Sequence, residues 1–498
     1  MGRKHRRKFK SNSPTEQSKP TAAVSSRYRF FLWVCGFFAL AGLVLRIDVI
    51  TAWPGAEGWA LDAALSSKSR VIYVPTVIQS WLSSLTEPFY LAPRVLSISF
   101  LLGSATVFYQ WGSRLFGVQT VQLAILVAAS GLWLPFFGKV ATADSWALFG
   151  HIGMILATAM LLRSGIEIYK FWMLAFTIVS LLAAPLSTFL MAILLTAIYW
   201  KNKEVRAVFY AILPICALVV PVFGLPVNRT YYFWGSISLS SQGTFLAYAF
   251  LGVLPQVGWW LAAGRDAVLR FKKGDELIRL LLPFLLVGLV VQSLSVFVIF
   301  GILVAKQMEN YFRQPYPWVS WVRAGATLHL IFAFFAALFG MFAGLAAFSG
   351  DGYRASLGTA AAYWIFSLFG VIGLYGMKRD FAIGGTIFAG LIATMFFWTQ
   401  VYPFIETQRA WPQRAIADLD LPTDGSLILR GERTLTSTAL PYFRQMGLDS
   451  LPQVGIGYDK IDEDEAQLIV RLVTDADTLM LENQVYGRSF FRGIVVEK

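Results

Sequence analysis

The chain has 498 residues, of which 56% are hydrophobic and only 14% are charged, with a formal net charge of +13. Many apolar runs reach the roughly 20 residues that a helix needs to cross a bilayer, which excludes an ordinary soluble globular protein. The runs lack the alternating pattern of a membrane barrel, and backbone hydrogen bonds within a bilayer must be satisfied internally. The composition therefore predicts an all-α polytopic membrane domain.

Residues 1–28 form a basic tail that opens with MGRKHRRKFK. The long apolar run after it has no small-residue cleavage site, which indicates a retained anchor and not a signal peptide. By the positive-inside rule the tail stays in the cytoplasm. Most of the positive charge is interpreted as a topology signal and as attraction to anionic membrane lipid, and no nucleic-acid partner is expected.

A helical membrane domain is predicted over 29–403, with twelve spans and a short thirteenth near 314–329. Pro185 separates two runs that are each short for a span, so the count can fall by two without changing sidedness. The twelve lie near 30–50, 92–111, 119–137, 145–162, 171–184, 186–200, 207–226, 244–263, 279–304, 330–348, 356–376 and 381–402. Counting from a cytoplasmic N-terminus places the loops 51–91, 138–144, 227–243 and 305–314 on the outer side.

The longest outer loop, 51–91, is too polar to span a membrane and too apolar to be a free linker. Its parts EGWALDAALSS and TVIQSWLSSL carry apolar residues at helical spacing, which predicts amphipathic helices in the plane of the interface. These helices would hold Glu57 and Asp62 just above the bilayer. For both carboxylates, the alternative is a solvated helix face without chemistry.

The second outer loop, KVATADSW, places Lys139 and Asp144 between two apolar spans. Asp144 precedes the helical run SWAL, where it can act as an N-cap that accepts backbone N–H bonds, and capping does not exclude chemistry. Lys139 can bind a substrate or simply extend toward the lipid headgroups. Both residues are candidates with a structural alternative.

The third outer feature is AKQMENYFRQPYPW, which carries Lys306, Tyr311, Arg313 and Tyr316. Aromatic residues with lysine and arginine are common at membrane edges. Here the cations fall on the predicted outer side, against the positive-inside trend, which favours a binding role. Lys306, Arg313 and the hydroxyl of Tyr311 thus lie at the depth of the lipid phosphates, where phosphate binding and an ordinary aromatic belt remain the two interpretations.

Three outer loops that are distant in sequence thus offer acids and cations that could converge on a charged headgroup. A carboxylate beside an acceptor hydroxyl and cations beside a phosphate leaving group would suffice for displacement at a sugar carbon. A divalent metal, Mg²⁺ or Mn²⁺, between carboxylate and phosphate would assist. No Gly-rich phosphate loop is evident, so a lipid-linked sugar donor is favoured over a nucleotide sugar.

Three stretches of the sequence resemble the polyprenyl-phosphate-sugar-dependent glycosyltransferases of the GT-C fold, the superfamily of the aminoarabinose transferases and protein O-mannosyltransferases. They are RVLSISFLLGSATVFYQWGSRLFG, GKVATADSWALF and AKQMENYFRQPYPWVSW, which occur in the family's order. The likeness covers nearly the whole chain. It implies a polyprenyl-phosphate sugar entering from the outer leaflet, an acidic base, and inversion at the anomeric carbon.

Two departures from that family leave its site incomplete in this chain. The family's Asp-Glu pair is represented only by Glu57 in GAEGW, and its charged residue before a Pro-Pro pair is replaced by Val74 and Pro75. The resemblance implies metal binding by Glu57 and Asp144, and the first departure puts that binding in doubt. The base remains open between Glu57, Asp62 and Asp144. Lys306, Arg313 and Lys139 are the expected phosphate-binding residues.

After residue 403 the composition becomes polar, and 404–498 is predicted to be a small soluble α/β domain. SLILRG and FRGIVVEK are interpreted as strands, and TSTALPYFRQMG and EDEAQLIVRLV as helices. DKIDEDEA lacks the glycine and spacing of an EF-hand and indicates a solvated helix start. Twelve spans place this domain in the cytoplasm and thirteen place it outside; the family resemblance favours thirteen.

The remaining alternatives are a transporter or flippase, and an inactive membrane scaffold or partner subunit. The most apolar of the predicted spans are nearly free of ionisable residues at their centres, which disfavours a transport function. Cys35 and Cys216 show no disulfide or zinc spacing, and the three histidines are scattered. A bacterial inner membrane is the expected location, with a glycan, lipid or protein acceptor that the sequence does not identify.

Overall fold

A computed structural model of the chain describes 26–47, 74–131, 134–219, single positions between 243 and 249, 252–313, 315–404, and three short strands near the C-terminus. The described part of the membrane domain is helical throughout. The predicted all-α class of this domain is confirmed.

The helices follow one another with short connections. α1 is Ser26–Val44, α2 is Val74–Ser83, and α3 is Leu91–Val107, which continues through a π-helical turn, Phe108–Gly112, into α4, Ser113–Phe116. Then follow α5 Val118–Ser130, α6 Leu134–Gly138, α7 Asp144–Ser164, α8 Ile168–Ala183, α9 Pro185–Ile198 and α10 Lys203–Val219. The last are α11 Val257–Lys272, α12 Glu276–Val290, α13 Ser295–Tyr311, α14 Val319–Tyr375 and α15 Arg379–Phe396, which ends in a π-helical turn, Phe397–Val401.

Five helical stretches are long and apolar enough to cross a membrane by length and composition. They are Leu91–Phe116, Asp144–Ser164, Val319–Ala346, Gly350–Tyr375 and Arg379–Phe404, and four shorter apolar helices accompany them. Their outward surfaces are rich in exposed Phe, Leu, Ile and Trp, for example Phe339 at 77%. Such a surface is stable only in contact with lipid, so the chain is an integral membrane protein.

The helices run between two opposite ends of the bundle. At one end, the Lys139 face, Lys139 meets Leu45 just after α1 and Trp398 just after α15, and Arg94 in the first turn of α3 meets Ile47. The α3–α4 unit, Leu91–Phe116, leads away from this face over 26 residues, about 39 Å at 1.5 Å per residue. At that opposite end, the Glu309 face, Thr120 at the start of α5 donates a hydrogen bond to Glu309.

A break at Gln292 separates two helices where the sequence predicted the single span 279–304. Gln292 has φ 57°, a left-handed conformation, and the chain reverses between α12 and α13. Ser293 stabilises the turn: its hydroxyl accepts from the backbone N–H of Ser295 at 3.3 Å. The prediction that 305–314 lies on the same side as 138–144 is therefore wrong, because one additional crossing moves this segment to the Glu309 face.

The long helix α14 folds back on itself near 347–349. Arg323 reaches the carbonyl of Tyr375 at 3.4 Å, and His329 Nε2 lies 2.8 Å from the hydroxyl of Tyr363. In a straight helix these pairs would be about 50 Å or more apart, so α14 forms two antiparallel crossings. The predicted short span at 314–329 and the span at 330–348 are one helical segment.

Pro185 marks a true reversal and not a kink. Ala184, with φ −140° and ψ 73°, leaves the helical region, and α8 and α9 then run antiparallel. α8 packs closely on α7: the position that a Cβ would take at Gly153 overlaps the ring of Phe176, so only glycine fits there. With the two halves of α14 counted separately and the α3–α4 unit counted once, the described part of the chain contains thirteen longer helical segments besides α2, α6 and the single positions between 243 and 252.

Three strands lie beyond the membrane domain. β1, Leu427–Arg430, pairs in parallel with β2, Leu468–Val473, and β2 pairs antiparallel with β3, Gly493–Glu497. The predicted strands SLILRG and FRGIVVEK are confirmed, but the predicted helix EDEAQLIVRLV is wrong over LIVRLV. This mostly aliphatic run, with three β-branched residues, occupies the central strand. The predicted helix TSTALPYFRQMG lies outside the described residues.

Candidate functional site

Lys139 is the central cation of the Lys139 face. It follows α6, its side chain is fully buried, and its Nζ donates a hydrogen bond to the carbonyl of Leu45. The same Nζ lies 4.5 Å from the centroid of the Trp398 ring, a cation–π contact. The alternative that Lys139 extends to the lipid headgroups is therefore wrong, because the ends of α1 and α15 enclose it.

The burial of Lys139 changes its acid–base behaviour. Loss of solvation, together with the nearby positive charge of Arg94, lowers the pKa of Lys139 from 10.5 to about 7. Among the described residues no carboxylate lies within ion-pairing distance of its Nζ. A buried ammonium without a carboxylate is costly in free energy, and an anion placed beside it would reduce that cost.

Arg94 is a second buried cation on this face. It is fully buried in the first turn of α3, donates through Nη1 to the carbonyl of Ile47 at 3.1 Å, and lies 4.5 Å over the ring of Tyr90. The sequence analysis used Arg94 only as a mark of family resemblance and missed it as a site residue. An arginine inside the apolar start of a span was the available signal, because such a charge requires a partner.

Asp144 begins α7 and is 5% exposed. The hydroxyl of Thr142 donates to its Oδ2 at 2.6 Å. The N-cap position is Ala143 and carries no side-chain cap, so the expectation that Asp144 caps the helix is wrong. Its carboxylate still lies at the positive end of the helix dipole. Lys139 and Asp144 are thus both buried, five positions apart, at the two ends of one short loop.

α2 covers this loop with its polar side. Gln79, 2% exposed, donates through Nε2 to the carbonyl of Ala141 at 3.0 Å. Thr76 and Ser83 are buried on the same side, whereas Val77 and Trp81 are 55% and 63% exposed. The predicted amphipathic helix over TVIQSWLSSL is thus present, and the sequence analysis missed Gln79 because it considered only the apolar spacing.

Glu57 and Asp62 lie outside the described residues, as does the predicted helix EGWALDAALSS. The described part of the chain contains no group of three His, Cys, Asp or Glu side chains that could hold a metal ion. Of the predicted metal ligands, Asp144 alone is described, and its loop also carries the cation Lys139. The prediction of a Mg²⁺ or Mn²⁺ site therefore depends on Glu57.

The third predicted group lies on the opposite end of the bundle, so the structure does not bring it together with Lys139 and Asp144. Lys306 Nζ is 3.8 Å and Arg313 Nη2 is 2.8 Å from Glu309. Tyr311 is buried and donates to the carbonyl of Leu374 at 3.0 Å. These contacts explain the group as an ion-paired helix end on the Glu309 face.

An apolar cavity of about 240 Å³ lies beneath the two buried cations. Leu43 and Leu101 line its upper end, and both pack against Gly138, the residue before Lys139. Deeper in the bundle, His151 is buried two turns along α7 from Asp144. Its Nδ1 lies 3.0 Å from the hydroxyl of Ser293, and its Nε2 lies 3.3 Å from that of Thr188.

The fold and the site together define a helical integral membrane protein with a buried cationic and acidic loop at one face. No family model matches the sequence, and no curated protein matches it. Among solved structures the chain is similar to ArnT from Cupriavidus metallidurans, an aminoarabinose transferase of the GT-C fold.

The similarity to ArnT extends over almost all of both chains. ArnT bound to undecaprenyl phosphate is 13% identical with a TM-score of 0.59, and the apo form is 12% identical with a TM-score of 0.56. Each comparison covers 95% of this chain and 98% of ArnT. At such low identity the likeness establishes the fold. The resemblance found in the sequence is confirmed at that level.

Proposed function

We propose that this protein is a membrane glycosyltransferase that moves a sugar from a polyprenyl-phosphate donor to an acceptor. The observation that carries the proposal is the buried Lys139 ammonium, which has no carboxylate partner in the described residues and shares a short loop with a buried carboxylate. The ArnT-like fold supports it, because one of the similar ArnT structures is bound to undecaprenyl phosphate.

The phosphate of the donor is proposed to bind beside Lys139 and Arg94. Both cations are fully buried, so their attraction to an anion is weakly screened. Beneath them, the apolar cavity bordered by Leu43 and Leu101 suits a hydrocarbon chain. A lipid with an anionic headgroup and a long prenyl tail satisfies both features.

Asp144 is proposed as the general base. Its carboxylate takes the proton of an acceptor hydroxyl while the acceptor oxygen forms a bond to the anomeric carbon. The bond from that carbon to the phosphate oxygen breaks, and polyprenyl phosphate leaves with the electron pair. Lys139 and Arg94 stabilise the negative charge that develops on the leaving phosphate. Attack opposite the leaving group inverts the anomeric centre.

Glu57 and Asp62 remain alternative bases, because they are outside the described residues. A divalent cation held by Glu57 and Asp144 would supply further charge stabilisation at the phosphate. The described donors fit such an ion poorly, since Mg²⁺ and Mn²⁺ prefer several oxygen ligands and this loop offers one carboxylate near two cations. The steps above therefore use the protein's own residues.

The site is proposed to face the outer side of a bacterial inner membrane, with the N-terminus in the cytoplasm. Cysteines placed singly at Ser84 and Lys306, on opposite faces, test this orientation. In spheroplasts a membrane-impermeant thiol reagent should label the cysteine at 84 and not the cysteine at 306. The described native cysteines, Cys35 and Cys216, are buried and should give little background.

The activity is tested with protein purified into lipid nanodiscs and a panel of undecaprenyl-phosphate sugars, with membrane extract as the acceptor source. Release of undecaprenyl phosphate is measured for the wild type, Asp144→Asn and Lys139→Met. Glu309→Gln is the matched control, since it changes a partly buried carboxylate on the opposite face. We expect release by the wild type and the control, and strongly reduced release by the other two variants.

Two results would contradict the proposal. If no donor releases undecaprenyl phosphate with the wild type, an inactive scaffold or partner subunit becomes the better interpretation. If the labelled lipid instead moves between leaflets without loss of its sugar, the protein is a flippase.

A further inference from the structure

The inner side of α2 is polar, and two of its side chains are left without hydrogen-bond partners by the packing. Its buried residues Thr76, Gln79 and Ser83 recur at spacings of three and four, so they form one stripe along the helix. Helices that pack on a protein core normally bury their apolar side. In α2 the polar stripe faces the protein, while Val77 and Trp81 on the other side are more than half exposed.

Two atoms of this stripe lack hydrogen-bond partners. The Oε1 atom of Gln79 and the hydroxyl of Ser83 are buried, and neither makes a hydrogen bond. Gln79 is 2% exposed and Ser83 is 5% exposed. Buried polar groups are nearly always paired in folded proteins, so two unpaired groups one helical turn apart point to a polar ligand.

The stripe lies over the middle of the proposed catalytic loop. Gln79 is anchored to the carbonyl of Ala141, which is two residues after Lys139 and three before Asp144. In a polyprenyl-phosphate sugar, the sugar ring lies between the phosphate and the attacking acceptor hydroxyl. A donor with its phosphate at Lys139 and its anomeric carbon near Asp144 would therefore place its ring beside Gln79.

We propose that Gln79 and Ser83 form the subsite that binds the hydroxyl groups of the donor sugar. This proposal rests on the proposed function. It adds the residues that determine which donor sugar is bound. Gln79 Oε1 accepts a hydrogen bond from one sugar hydroxyl, and Ser83 donates to or accepts from a second. The amide nitrogen of Gln79 holds α2 against the loop at the same time. The two residues thus recognise the sugar, whereas Lys139 and Arg94 bind the phosphate.

Two kinds of lipid, with and without a sugar, separate this role from the proposed function as a whole. Binding of undecaprenyl phosphate, and of undecaprenyl-phosphate glucose, mannose and 4-aminoarabinose, is measured by tryptophan fluorescence of the full-length protein in nanodiscs. The variants are Ser83→Ala and Gln79→Met, both close in size to the native residue. Ser84→Ala is the matched control, because Ser84 is exposed and bonds only to the carbonyl of Trp81.

We expect the wild type to bind at least one sugar-bearing lipid more tightly than undecaprenyl phosphate. Ser83→Ala should weaken binding of that sugar lipid about fivefold, the value for one lost hydrogen bond, with undecaprenyl phosphate unchanged. Gln79→Met should have at least the same effect, and Ser84→Ala none. A variant that weakens both lipids equally would show a merely structural role.

The remaining outcomes are also decisive. If the wild type binds undecaprenyl phosphate but no sugar adds affinity, or if Ser83→Ala and Gln79→Met leave that gain unchanged, the sugar subsite is overturned and the phosphate site stands. If the wild type binds none of the four lipids, the proposed function and the subsite fail together.

Discussion

The two ends of the helical bundle both carry basic side chains and tyrosines, but they hold the charges in opposite ways. At the Glu309 face, Lys306 and Arg313 are 36% and 65% exposed, and both reach the carboxylate of Glu309. At the Lys139 face, Lys139 is fully buried against a carbonyl and an aromatic ring. A solvated ion pair offers a ligand little, whereas a buried ammonium without a carboxylate gains from an anion.

This comparison shows that burial and partners, and not the residue type, distinguish a binding cation from a topological one. In the proposed orientation, Lys306 and Arg313 satisfy the positive-inside rule once the break at Gln292 is included. Lys139 violates that rule in the proposed orientation, and the surrounding helix ends enclose it. The following substitutions each compare one residue of the Lys139 face with a counterpart on the Glu309 face.

The largest effect is expected from Asp144→Asn. Removal of a general base lowers turnover by about 10²–10⁴-fold, so release of undecaprenyl phosphate should nearly cease. Glu309→Gln should retain activity within about twofold, because Glu309 only pairs with neighbouring side chains on the opposite face. Full activity of Asp144→Asn would transfer the role to Glu57 or Asp62.

Lys139→Met should weaken binding of undecaprenyl phosphate about 10- to 100-fold, the value for one charge-assisted contact of about 1.5–3 kcal/mol. Lys306→Met is the matched substitution and should change the affinity less than twofold, since its ammonium lies in solvent beside Glu309. Fluorescence titration in nanodiscs measures both. Equal losses in the two variants would mean that the affinity comes from general electrostatics.

The pH dependence of donor binding should follow the protonation of the Lys139 side chain. Its pKa is about 7 in the free protein, so the ammonium is fully present below pH 7 and is lost as the pH rises. Affinity for an undecaprenyl-phosphate sugar should therefore be constant below pH 7 and fall between pH 7 and 9. This phosphodiester keeps a single charge over that range. Lys139→Met should show a flat profile, and a sloping one would assign the titration to another group.

A smaller effect is expected on stability. The unfolded state holds the Lys139 proton up to pH 10.5 and the folded state only to about 7, so burial of the charge is most costly below pH 7. Wild-type stability should therefore rise relative to Lys139→Met from pH 7 to 10. Thermal unfolding of both proteins in detergent tests this. For the control variant Lys306→Met, the difference in thermal stability from the wild type should show no such rise with pH.

The smallest effect is expected from Arg313→Ala. Its guanidinium is 65% exposed, so loss of the pair with Glu309 should destabilise the fold by less than about 1 kcal/mol. The melting temperature of the variant in detergent measures this. A large decrease would show that the Glu309 face is as dependent on its charges as the Lys139 face.

Sequence patterns predicted the Lys139 loop better than the Glu309 segment, and the reason is local. KVATADSW is bounded by two unmistakable apolar runs, so both of its charges had to lie at the same helix ends. The position of 305–314 depended on counting every earlier crossing correctly. One polar turn, VQSL, within an apolar run of 26 residues was enough to invert it. Sidedness is cumulative, so a single missed reversal changes all later loops until another error cancels it.

The α2 helix illustrates a second limit. Helical spacing of its apolar residues was visible in the sequence, and the helix is present. Periodicity shows that a helix has two unlike sides, but it does not show which side faces protein and which faces lipid. In water the apolar side is normally buried; beside lipid the polar side can be the buried one. Only the packing of Gln79 on Ala141 decided this.

By itself the sequence determined that this is a membrane protein with a helical membrane domain. It also determined the strands at 427–430 and 493–497 and the loop that carries Lys139 and Asp144. These features follow from composition and short-range periodicity. The tertiary structure decided which polar side chains lie near one another: Arg94 near Lys139 at one end, and Thr120 hydrogen-bonded to Glu309 at the other. The physical reason is that burial and ion pairing depend on contacts between residues far apart in the chain, and local patterns do not contain those contacts.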